Sequence, residues 1–133
     1  CTCTCSWEGH AYSDMRDNAP MAAAYRANSA LLGRPVADPA EIGRRVVGST
    51  DMGNVSYLVP SIHPMIRSAP DGTAIHTREF ARWAVSELGD AAVIDGAKAM
   101  AMTVIDLWLD AQLVAATRAH FGPDGPDTSV LSA

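Results

Sequence analysis

The chain has 133 residues, 48% hydrophobic and 19% charged, with a formal net charge of −5. That length suits one domain, which can bury roughly two thirds of its unfolded surface. The acidic balance argues against nucleic acid, which calls for a basic patch, and no apolar run is long enough to predict a membrane span.

The chain opens at Cys1 with neither an initiator Met nor a secretory signal ahead of it, so it reads as cut from something longer or translated from a truncated gene. Cys1, Cys3 and Cys5 alternate with Thr2 and Thr4. This spacing is not the Cys-x-x-Cys of a zinc or redox pair. It predicts a strand over Cys1–Trp7, with three reduced thiols buried in a cytoplasmic protein. The segment from His10 to Asn18 is polar and reads as a connector, its His10 solvated. A helix follows, capped by Asp17 or Asn18, with Pro20 in its first turn and Gly33 as its stop. Met21, Ala24, Tyr25, Leu31 and Leu32 supply its apolar stripe. Arg34 to Arg45 reads as a loop whose Arg44-Arg45 pair is a solvated edge.

Gly48-Ser49-Thr50 predicts a tight turn and an N-cap for a short helix over Asp51–Leu58, weakened by Gly53 and ended by Pro60. Ser61–Ile66 reads as a strand, held to an edge by Pro64. Pro70-Asp71-Gly72 marks a turn. Two closing helices are expected, one over about Thr77–Leu88 with Gly89 as terminator and one over about Asp90–Phe121. In the second, Ile94, Ala97, Ala101, Val104, Ile105 and Trp108 recur at helical spacing as the core stripe, with Asp95, Asp106 and Asp110 facing away. His120 sits in the last turn as a cation suited to the helix dipole. Residues 122–133 read as a flexible tail.

The candidate chemistry lies between Gly48 and Phe80. His76 follows a flexible Asp-Gly turn and precedes a helix start, a placement that suits a metal ligand. Asp51 lies in a turn of small residues, where its carboxylate can approach a shared site, and Asn54 with the backbone N–H groups near Gly48 and Gly53 suits a substrate carboxylate or oxyanion. From residue types alone the signal is weak: a metal site needs three or four donors, and no spaced set of His, Asp and Glu accompanies His76. There is no candidate pair for general acid and base either.

The run STDMGNVSYLVPSIHP, followed by Ile75-His76-Thr77-Arg78-Glu79-Phe80, resembles the C-terminal part of the zinc amidohydrolase and metallopeptidase family that includes aminoacylase and carboxypeptidase G. Its look is nearest to the branch of aminobenzoyl-glutamate utilisation protein B and β-alanyl-lysine dipeptidase, and the resemblance runs from about Cys5 to Phe121. It implies an α/β fold, a three-layer sheet-and-helix catalytic domain interrupted by a smaller lid. Residues 1–10 would then be the lid's last strand and 11–121 the returning half of the catalytic domain. It also implies a centre of two metal ions, usually zinc, to which His76 would give one ligand. Ser49, Thr50, Asp51 and Asn54 would line the substrate pocket.

The family's other ligands and its general-base Glu have no counterpart here, so no catalytic residue is assigned in this chain. The first expectation is therefore part of an amidohydrolase or dipeptidase acting on an N-acyl amino acid or dipeptide, inactive alone. The second is a non-catalytic truncated module with a structural or interaction role. A weaker third is a stand-alone α/β binding domain with a closed core. A partial fold should instead expose a broad apolar face and self-associate, or join a missing half.

Overall fold

The computed structural model describes residues 1–6, 9, 11–37, 50–122 and 125–131. The described residues form five helices and one 3-10 turn: α1 (Ala19–Leu31), α2 (Met52–Leu58), α3 (Arg78–Ala84), α4 (Glu87–Leu109), α5 (Ala111–Phe121) and the turn Thr128–Leu131. Helix α1 packs on both α4 and α5, α3 leans on the start of α4, and α2 meets the C-terminal 3-10 turn.

The α/β expectation is overturned. Among the described residues the sole β-type pairing is an isolated parallel bridge between Asp17 and Ser61, in which the Asn18 N–H donates to the Ser61 carbonyl at 2.9 Å. A strand is stabilised by the neighbour with which it exchanges hydrogen bonds. The alternating Cys–Thr segment meets none: residues 1–6 are exposed, and the three cysteines expected to be buried are free and on the surface. Trp7 and His10 lie outside the described residues, as do Arg44 and Arg45. Ser61–Ile66 also fails to become a strand. Ile66 instead lies over Gly96 of α4, its side-chain atoms 3.6 and 3.7 Å from where a Cβ would sit.

The punctuation around α1 is as the sequence predicts. The Asn18 side chain accepts from the Met21 N–H, and proline stands in the first turn. At the far end Gly33 takes φ 72°, while Arg34 N–H returns to the Ser29 carbonyl and Gly33 N–H to that of Ala30. This pair of bonds closes a helix around a left-handed glycine.

The two expected C-terminal helices are three. Ser86 accepts from the Gly89 N–H and starts α4 where the sequence places a helix end. Gly89 is therefore not a terminator. A Cβ there would lie 2.6 and 2.7 Å from the carbonyl oxygens of Trp83 and Ala84, so glycine permits the tight α3–α4 junction. At the other break, Asp110 accepts from the N–H groups of Gln112 and Leu113, and α5 leaves α4 at 100°.

The buried stripe of α4 is also reversed. Ala92, Gly96, Ala99 and Thr103 face inward, whereas Ile94, Val104, Ile105 and Trp108 are 55%, 54%, 51% and 83% exposed. Asp95 and Asp106 lie toward the packed side because partners wait there, whereas Asp110 is exposed. Asn28 of α1 donates to Asp106 Oδ2 at 2.6 Å and to Thr103 Oγ1 at 3.2 Å, and Arg34 pairs with Asp95 at 2.8 Å. Small residues let α1 and α4 approach closely, and polar bonds fix their register. Of the apolar residues, only Tyr25, Ala69, Ala92 and Ala99 are buried among those described, so the core is thin rather than closed.

Candidate functional site

Helix α2 and the extended segment after it carry the candidate residues. Thr50 Oγ1 accepts from the Met52 N–H at 3.3 Å beside the N-cap Asp51, an exposed residue whose own side chain makes no capping bond to α2. Gly53, which helix propensity alone would disfavour, is buried against the backbone of Ser13, and a Cβ there would run into the Ser13 carbonyl oxygen. The glycine thus lets the 11–16 segment lie directly on α2.

Asn54 clasps that contact. Its Oδ1 accepts from the Ser13 N–H, and its Nδ2 donates to the carbonyls of Ala11 and Val130, all at 3.1 Å. Both amide donors and one acceptor position are thereby engaged in joining three stretches of chain. Two residues on, Ser56 Oγ accepts from the Arg16 N–H at 3.0 Å, and the Arg16 guanidinium lies 4.7 Å above the Tyr57 ring. The Tyr57 hydroxyl donates to Asp14 at 2.7 Å, and that bond, with the nearby carboxylate, pushes its phenol above the ordinary value. Ser129 donates through its hydroxyl and its N–H to Asp127, holding that carboxyl below its ordinary range.

His76 is exposed and has φ 62°, which makes it the one non-glycine residue with positive φ among those described. A left-handed L-residue costs roughly 1–2 kcal/mol, and such backbone concentrates at ligand clamps and active sites. The turn is held from its C-terminal side. Thr77 Oγ1 donates to the Ala74 carbonyl at 2.8 Å and accepts from the Phe80 N–H at 3.1 Å, which also caps α3. His63 is exposed on the segment leading to this turn.

No hydrogen bond joins His76 to Thr50, Asp51 or Asn54, and Ser49 lies outside the described residues. Among the described residues no three His, Cys, Asp or Glu side chains come together as a metal-holding group. A lone imidazole does not make a zinc site, so the donors present do not fit a metal centre by themselves.

Two cavities open elsewhere. One of about 90 Å³ lies where Arg16, Asn18 and Ser56 face His120 and Phe121. The other, of about 350 Å³, lies between the loop after α1 and the segment Met65–Arg67. Neither is lined by Thr50, Asp51, Asn54 or His76. The Arg16–His120 cleft was invisible in the sequence, because its walls come from residues some 40 to 100 positions apart with no shared motif.

No helix among the described residues is by itself long and apolar enough to cross a membrane. The chain matches no family model and no solved structure. It does match two curated proteins: an Xaa-Arg dipeptidase of Mus musculus, 32% identical over 121 residues, and an Xaa-Arg dipeptidase of Homo sapiens, 31% identical over 121 residues. Each match covers 91% of this chain but 28% of the relative, so the chain spans less than a third of the length of the curated relatives it matches. Over nearly its whole length the sequence is thus similar to a stretch of dipeptide-cleaving hydrolases.

Proposed function

We propose that this chain contributes part of a hydrolase that cleaves the amide bond of a dipeptide or N-acyl amino acid, and that it is inactive without the remaining parts. The likeness to the two dipeptidases carries this reading. The left-handed backbone at His76 adds support, because it is strain at an exposed residue. In the complete enzyme His76 acts as one donor to a metal centre, taken to be zinc, whose other ligands and general base come from outside this chain. Ser49, Thr50, Asp51 and Asn54 border the substrate pocket. Following the relatives' names, the substrate is a dipeptide ending in arginine. The exposed Asp51 carboxylate suits a guanidinium, whereas it would repel the substrate's own carboxylate.

The test is a chimaera in which this chain replaces the matched 121 residues of the mouse enzyme. Hydrolysis of Xaa-Arg dipeptides is expected, and His76→Ala should lower it by at least about 100-fold together with bound metal. A folded chimaera whose rate and metal content ignore His76→Ala would sink the proposal.

A further inference from the structure

Asp-Gly occurs three times in the sequence, at Asp71-Gly72, Asp95-Gly96 and Asp124-Gly125. This dipeptide carries a reaction of its own. The glycine nitrogen can close onto the aspartate carboxyl, because no side chain on the glycine stands in the way. In a folded chain the local structure decides whether nitrogen and carboxyl can meet. Asp124 lies outside the described residues, so the comparison is between the first two pairs.

Asp95-Gly96 is locked. It lies inside α4, where the Gly96 N–H belongs to the helical ladder. The Asp95 carboxylate accepts from Arg34 Nε at 2.8 Å, and Gly96 is buried beneath Ile66. Asp71-Gly72 is open. The Asp71 side chain is 85% exposed. One backbone bond closes its turn, from the Thr73 N–H to the Pro70 carbonyl at 3.2 Å, and no bond among the described residues engages the Gly72 N–H. Gly72 takes φ 85°, and nothing lies within 4 Å of where its Cβ would be. The Asp71 carboxylate meets Arg67 at 3.0 Å, a pair exposed on both sides that restrains it little.

We propose that Asp71-Gly72 is a site of spontaneous covalent modification, where the turn converts to an isoaspartyl link, while the fold protects Asp95-Gly96. The Gly72 nitrogen bonds to Cγ of the Asp71 carboxylic acid, the Cγ–OH bond breaks, and that hydroxyl leaves with the amide proton as water. Water then opens the cyclic imide. Attack at Cγ restores aspartate. Attack at the former backbone carbonyl breaks its bond to nitrogen, so the main chain now runs through Cβ and Cγ and the α-carboxylate is set free. The two steps lose and regain one water and need no oxidant or cofactor. The product puts an extra main-chain carbon into the turn that leads to His76. None of the residues assigned to the hydrolase site takes part, so the two readings stand or fall separately.

Trypsin separates the sites: Asp71 falls in peptide 68–78, Asp95 in 83–98 and Asp124 in 119–133. The full chain is aged for weeks at physiological temperature and pH in water enriched in heavy oxygen, and sampled while its helical circular dichroism persists. Ring opening takes its oxygen from the solvent, so each passage through the imide labels the peptide. Label and isoaspartate are expected at Asp71 at least about tenfold above Asp95, because α4 must open before the second site can react. In urea the difference should vanish. Asp71→Glu should abolish the signal in 68–78, since the longer side chain closes its ring far more slowly. An unlabelled Asp71, or equal labelling of both sites in the folded chain, overturns the proposal. A gap that survives in urea overturns it too, because neighbouring residues rather than the fold would then set the rates.

Discussion

The two long faces of α4 invert the usual arrangement of a surface helix. The packed face is built from glycine, alanine, threonine and two acidic residues, and the solvent face from isoleucine, valine, methionine, leucine and tryptophan. Ordinarily the large apolar stripe faces the core and the charges face water. Here α1 offers a surface of Tyr25, Asn28 and Ser29, which admits a close neighbour with small side chains and rewards one carrying acceptors for Asn28. Periodicity therefore identifies two stripes on a helix, but the neighbour's chemistry decides which of them the fold uses.

Substitutions on the two faces sharpen this contrast. The largest effect is expected at the inner start of the helix: Gly89→Ala pushes a methyl into two backbone carbonyls at 2.6 and 2.7 Å and should lower stability by about 3 kcal/mol in thermal or urea unfolding. Asn28→Ala comes next. It removes the bonds to Thr103 and Asp106 and leaves a half-buried carboxylate short of a donor, a loss of about 2 kcal/mol. Met100→Gln, on the outer face and 54% exposed, should stay within about 0.5 kcal/mol. If the outer substitution cost more than either inner one, the assignment of the faces would be reversed and the expected stripe restored.

What the sequence revealed follows the range of each interaction. Asn18, Pro20 and Gly33 act on backbone groups within a few residues, and all three do what their chemistry predicts. Ser86 and Asp110 are equally local caps, yet they were hidden inside an unbroken run of helix formers, where a Ser or Asp reads as one more solvated position. Gly89 looked like a stop because close approach to Trp83 and Ala84 leaves no mark in a pattern. The strands failed for a non-local reason, since alternation at Cys1–Cys5 states a preference that only a partner strand can satisfy. At the candidate site, resemblance directed attention to His76, and the structure adds its unusual backbone. The clasp made by Asn54 joins Ala11, Ser13 and Val130, contacts that no spacing rule anticipates.

The elbow at Asp110 decides more than the path of α5. By length and composition only, helices α4 and α5 pass together as an apolar stretch that neither makes alone. One carboxylate, by capping a new helix instead of extending the old one, breaks an oily stretch into two arms set at 100°. Replacing that residue with leucine would remove the acceptor that holds the Gln112 and Leu113 N–H groups at this hinge.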